Sequence, residues 1–162
     1  MNAILQPRHN RLLIGLACIV TAAGSLAHSP GEPSPSISFR LAFEEQAPDT
    51  TKMQFQSPNE AVYVSKSSIL EGSDLLKARV KRGPAGPLLT ITVTPDGAKR
   101  VKQTTSSHLG DRLALIVDGV LISAPTIRQP IEGNELSVTS ARLSEREMED
   151  LAKTINNAVE KH

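Results

Sequence analysis

The residues best suited to chemistry are few. His108 and Asp111 stand three apart, and a carboxylate that orients an imidazole makes a base able to activate a nucleophile. No nucleophile is tied to this pair by spacing, and the simpler reading is a surface imidazole at a helix C-terminus, where its cation meets the dipole favourably. Glu44-Glu45, and Glu132 with Glu135, are candidate carboxylate pairs, although acids at strand ends and in turns are usually solvated. The sequence has no H-E-x-x-H, G-x-S-x-G, S-x-x-K, P-loop or calcium loop, and no cluster of zinc ligands. No catalytic residue, cofactor or metal is therefore assigned, and the expected protein is not an enzyme; a hydrolase using His108 and Asp111 is the least favoured alternative.

A binding site is easier to place. Leu121 to Ile127 is an apolar run that leaves its strand at Pro125. It would set Ile122, Ser123, Ala124, Pro125 and Ile127 beside an unpaired sheet edge, open to an extended peptide by strand addition. Pro125 lacks an N–H and would limit how far such pairing runs. The alternative, which spacing alone favours, makes both isoleucines core.

The surrounding elements follow from period and punctuation. Ile37, Phe39, Leu41 and Phe43 alternate with Ser38, Arg40 and Ala42, as in a half-buried strand. Residues 46–59 are polar and carry Pro48 and Pro58, which reads as a long loop, and a short strand is expected at 61–65. Ser73-Asp74 can cap one helical turn at 74–77 before a strand near 78–81, and Gly83-Pro84-Ala85-Gly86 is turn chemistry. A strand through Leu89, Ile91 and Val93 leads to Thr94-Pro95, a helix start that Gly110 would end. Ala98, Val101, Thr105 and Leu109 would form the inner face of that helix.

Asp118-Gly119 reads as a tight hairpin turn between strands at 112–117 and 120–124. A last strand spans 136–139. Ser144 and Glu147 form a capping box for a second helix, with Leu143 and Met148 at the staple positions. Its inner face carries Met148, Leu151, Ala152, Ile155, Ala158 and Val159. The expected fold is α+β: a mostly antiparallel sheet of about seven short strands with two main helices, near 95–109 and 144–160.

At the N-terminus, Arg8 and Arg11 precede an uncharged stretch from Leu12 to Ala27 that ends in Ser25-Leu26-Ala27. This is the pattern of a signal peptide over 1–27, followed by a Pro/Ser-rich linker over 28–35 and a domain over 36–162. An uncleaved anchor to the cytoplasmic membrane is the alternative, against the dilution of the run by Gly15, Thr21, Gly24 and Ser25. Leu16-Ala17-Cys18 resembles part of a lipobox, but Gly15 occupies the position where a leucine is wanted and the apolar run continues past Cys18. The expectation is a periplasmic or secreted domain with no stable membrane span once the leader is cut. Cleavage takes Arg8 and Arg11 from the 18 basic residues, leaving 16 against 17 acids, and Phe39, Phe43, Phe55 and Tyr63 are the chain's only aromatics. So balanced and aromatic-poor a chain has neither the field nor the stacking platforms for nucleic acid.

The run Asp118-Gly119-Val120-Leu121-Ile122-Ser123-Ala124-Pro125-Thr126-Ile127, with Pro130-Ile131 and Gly133 after it, resembles the head part of the first periplasmic domain of the SecD protein-export subunits. Thr94-Pro95-Asp96-Gly97-Ala98 is similar to that family's strand-to-helix junction. Thr105, Gly110, Leu113 and Ala114 match its helix exit and next strand, and Ser38–Leu41 and Val62–Val64 through Leu70 and Asp74 keep its order. Ser140–Ser144 departs from it, where a glycine and a phenylalanine are usual. The resemblance spans roughly 36–155 and implies the head without a membrane motor, since a second apolar run is missing. It implies a non-enzymatic module that binds polypeptide, a preprotein or unfolded client, beside the Sec machinery. The alternative class is an assembly module docking on a folded envelope partner.

Overall fold

The computed structural model describes residues 35–55, 60–83, 86–139 and 143–160. The expected leader with Cys18, the linker apart from Pro35, the tip residues Pro84-Ala85 and the departure at 140–142 lie outside the described residues.

Among the described residues eight strands form two antiparallel sheets and two helices accompany them, in the order β1 (Ile37–Phe43), β2 (Thr50–Gln54), β3 (Ala61–Glu71), β4 (Leu75–Gly83), β5 (Gly86–Val93), α1 (Pro95–Ser107), β6 (Arg112–Val117), β7 (Val120–Ser123), β8 (Glu135–Val138) and α2 (Glu145–Glu160). The larger sheet runs β2-β3-β1-β6-β7 and the smaller β4-β5-β8. The α+β expectation holds, with one strand more than expected and two sheets where one was expected.

The differences have local causes. β2 arises inside the expected loop because Thr50–Gln54 pairs residue by residue with Ala61–Ser65, so tertiary pairing overrides a polar composition. β3 runs to Glu71 because β1 supplies partners as far as Ser38↔Glu71, through two bulges. β1 is central, flanked by β3 and β6, and is buried on both faces instead of half-buried as expected, because Phe39 lies in a core cluster on one face of the sheet and Ala42 in a second cluster on the other. The short turn falls at Gly72–Asp74, capped reciprocally by Glu71 and Asp74, and Leu75 is already extended.

α1 starts as its sequence dictates. The Thr94 hydroxyl accepts from the Gly97 N–H at 3.1 Å, and Pro95 sits in the first turn. Gly97 lets the helix approach β3, since a Cβ there would lie 3.0 Å from Leu70 Cδ2. The helix stops at Ser107. His108 leaves the helical region, so Leu109 escapes the 3.6-residue period and is 55% exposed instead of lying on the inner face. In α2 the Ser144–Glu147 capping box forms, and Met148, Ala152, Ile155 and Ala158 are buried with Leu143, Leu151 and Val159 packed against the same core.

That main core joins both sheets and both helices through Phe39, Leu70, Ile91, Val101, Leu115, Leu136 and Ile155. A smaller cluster lies on the other face of the larger sheet, around Ala42, Val62, Val64, Ala114, Ile116, Leu121 and Ala124, with Phe55. Among the described residues no helix is long and apolar enough to cross a membrane.

Candidate functional site

Asp118 and Gly119 join β6 to β7 with φ of 49° and 77°, the double positive φ of a tight hairpin. This returns the chain along the outer side of β6. After Ser123 it continues beside β6: the Leu113 N–H donates to the Pro125 carbonyl at 3.0 Å, Ile127 N–H to the Asp111 carbonyl at 2.8 Å, and Gly110 N–H to the Ile127 carbonyl at 2.9 Å. Pro125 and Ile127 therefore turn their main chains inward. The missing N–H of Pro125 is lost on the β6 side and does not shorten the outer edge, contrary to the expectation from sequence. The outward carbonyl nearby, that of Ala124, accepts from Arg112 Nη1 at 3.2 Å, while Arg112 Nη2 binds Glu44 at 2.9 Å.

The five candidate residues divide accordingly. Ile127, 4% exposed, belongs to the main core, so it is not the exposed flank envisaged for it; Ala124 is buried in the smaller cluster. Ile122 is half-buried against the main core, because β7 alternates Leu121 to one face of the sheet and Ile122 to the other. Ser123 is buried, and its Oγ donates to the Thr139 carbonyl at 3.4 Å.

That last bond brings two sheet edges together. Beyond it lies a groove of about 370 Å³ between the 125–131 segment and β8, lined by Phe39, Leu113, Pro125, Ile127, Ile131 and Val138, with Arg128 its one charged residue. Its far wall is tied to α1, where the fully buried Thr105 hydroxyl accepts the Ile131 N–H at 3.0 Å and donates to the Val101 carbonyl at 2.8 Å.

The β8 wall is an edge strand among the described residues, pairing only with β5. The Val93 N–H donates to the Asn134 carbonyl, and β5 pairs with β8 in the register Leu89↔Val138, Ile91↔Leu136. Strand alternation then sends the main chains of Leu136 and Val138 into the sheet and those of Glu135, Ser137 and Thr139 out of it. The Ser123 bond to Thr139 agrees with this assignment. Composition and motif search missed this edge, because Glu135–Val138 is only four residues long and its exposed side is a matter of pairing, not of residue type.

The candidate chemistry is also placed. His108 Nδ1 and Asp111 Oδ2 stand 2.9 Å apart, both about one third exposed, with the ring edge-on to Phe43 at 6.5 Å. The hydroxyls of Ser106 and Ser107 are turned back to the carbonyls of Lys102 and Gln103. The pair is thus formed, and these serines point elsewhere. Three of the four candidate carboxylates meet cations: Glu44 meets Arg112, Glu132 meets Lys102, and Glu135 meets Arg79 and Lys81. The Lys102 ammonium holds the Glu132 carboxyl below its usual range. Among the described residues no group of three metal-ligating side chains gathers.

Residues 46–158 match the family model described as SecDF, P1 head subdomain. The chain is 33% identical over 118 residues to the protein translocase subunit SecD of Koribacter versatilis, which covers 69% of this chain and 22% of that protein. It is 41% identical over 68 residues to the protein translocase subunit SecDF of Thermus thermophilus, covering 41% of this chain and 9% of that one. The crystal structure of SecDF in its super-membrane-facing form superposes with a TM-score of 0.61 at 25% identity, over 76% of this chain and 19% of that one. The chain thus spans less than a quarter of the length of these relatives.

Proposed function

The chain belongs to the SecDF P1 head family, and from that premise we propose that it binds extended polypeptide in support of protein export, at the groove between β8 and the 125–131 segment. The observation that carries this reading is the combination of main chain and apolar wall. Ser137 offers an outward N–H and carbonyl, and half-buried Pro125 and Ile131 supply apolar surface beside them, over a floor formed by the buried Phe39, Leu113 and Ile127. Main-chain bonds give affinity to any extended segment, and the apolar lining selects uncharged side chains on alternate positions. The matched relatives are translocase subunits, which supports an unfolded secretory polypeptide as the client class. Binding without chemistry is the reading we favour: the neighbouring Ser106 and Ser107 hydroxyls are bonded to helix carbonyls, and the His108–Asp111 pair is not among the residues lining the groove.

The working compartment we propose is the periplasm or the exterior, reached through the 1–27 leader, with mature protein starting near His28. Intact mass of the fractionated protein decides between a chain lacking 1–27 and an anchored chain that keeps them.

The site itself is tested by photo-crosslinking from two positions with an unfolded secretory polypeptide. A crosslinker at Gln129, in the groove lining, captures the client; one at Leu76, half exposed on β4, does not. Equal capture from both positions, or capture of one folded stoichiometric partner alone, contradicts the reading.

A further inference from the structure

The smaller sheet has a second edge. β4 pairs only with β5, and its nine residues make it the longest edge strand described. Since Leu89, Ile91 and Val93 turn their main chains toward β8, Thr90 and Thr92 turn theirs toward Arg79 and Lys77, and the main chains of Ala78 and Val80 face outward. Left open, this row would template another strand.

It is not left open. Asn156 of α2 donates its amide to the Ala78 carbonyl at 3.0 Å and accepts the Ala78 N–H at 2.8 Å. A side-chain amide carries the same donor and acceptor as a peptide group, so Asn156 occupies the two positions a neighbouring strand would use. The edge is further disturbed by a register shift between Leu75 and Lys77, and the start of α2 is held to its far end by Glu145 on Arg82.

We propose that Asn156 is an edge guard: it stands in for a strand at Ala78 and thereby keeps β4 from pairing with β4 of a second copy of this chain. A second copy is the occupant the geometry favours, because antiparallel β4–β4 pairing about Ala78 and Val80 is self-complementary. The half-exposed Leu76 beside the edge would add apolar contact to such a pair. The guard deepens the proposed function, since it closes the other edge of the sheet that carries β8, yet its test does not depend on client binding.

The full chain carrying Asn156→Leu, which roughly keeps side-chain size and does not weaken the helix, is compared with the unsubstituted chain by sedimentation over a range of concentrations and by amide exchange. The expected result is self-association at a concentration at least tenfold lower, with faster exchange at the Ala78 N–H. Adding Val80→Pro, which removes an outward donor and leaves the β5 ladder intact, returns the protein to the unsubstituted state. Asn156→Ala is the second variant and should behave alike. Unchanged sedimentation and exchange in folded variants overturns the proposal. So does unfolding of both, because removing a guard leaves the sheet and its core in place. Ser137→Pro, which closes β8, should leave the gain in association untouched; its loss in that variant would assign the contact to β8.

Discussion

β4 and β8 border the same three-stranded sheet and are finished in different ways. β4 is long, bears Lys77, Arg79 and Lys81 on the outer face, and has its outward main chain at Ala78 taken by Asn156. β8 is four residues long, turns Ser137 outward, and borders an apolar groove. An exposed strand edge is a liability that chains blunt with charges, bulges and cover. Asn156 covers the outward main chain at Ala78, whereas among the described residues no side chain covers that of Ser137, and the proposed binding edge rests on this difference.

Substitutions at five positions test that contrast and the elements around it. The largest effect is expected from Leu136→Pro, which removes an N–H committed to Ile91 and disturbs a side chain 2% exposed. It should cost ~3 kcal/mol or more, read as a lower denaturant midpoint. The adjacent Ser137→Pro faces out and should cost less than about 1 kcal/mol. Equal losses at the two positions would show that the assigned alternation of β8 is wrong.

Gly119→Val comes next. Its φ of 77° strains a β-branched residue, and a loss of ~1–3 kcal/mol is expected in chemical unfolding; an unchanged midpoint would mean that the β6–β7 turn does not need that conformation. Thr105→Val should cost ~1–2 kcal/mol by leaving the Ile131 N–H without its acceptor. Thr105→Ser should recover most of the loss. Proton exchange at Ile131 reads this directly, rising in the valine variant and not in the serine one.

The smallest effect concerns the start of α2, which holds the β4 cover in place. Hydrogen bonds from the Ser144 hydroxyl and main chain keep the Glu147 carboxyl below its usual range. A carboxyl with a lowered folded value contributes stability above its unfolded pKa and loses it as pH falls through the folded one. Amide protection in the first turn of α2, with the intrinsic slowing of exchange in acid divided out, should therefore fall below the ordinary glutamate range, and Glu147→Gln should flatten that dependence. A pH response unchanged in that variant would assign it to another acid.

Much of this was legible in residue types. The alternation of β1, the Thr94-Pro95 helix start, the Asp118-Gly119 hairpin and the Ser144–Glu147 capping box are local signals, and each stands where it was expected. What failed to show was decided by pairing partners. β2 is polar and exists because Ala61–Ser65 lies beside it. The sequence suggests Ile127 as the flank of an open sheet edge, and it is a core residue, because its main chain bonds to Asp111 and Gly110 and folds it inward. The β8 edge and the Asn156 cover join residues more than forty apart in sequence, and no local pattern announces either.

The central claim is that the outward main chain of β8 receives an extended polypeptide, and one titration tests it. A fluorescent segment of an unfolded secretory protein is added to the unsubstituted chain and to Ser137→Pro, each shown to be folded by its unfolding midpoint. The account requires the proline variant to bind at least tenfold more weakly; equal affinity in a folded Ser137→Pro protein would contradict it.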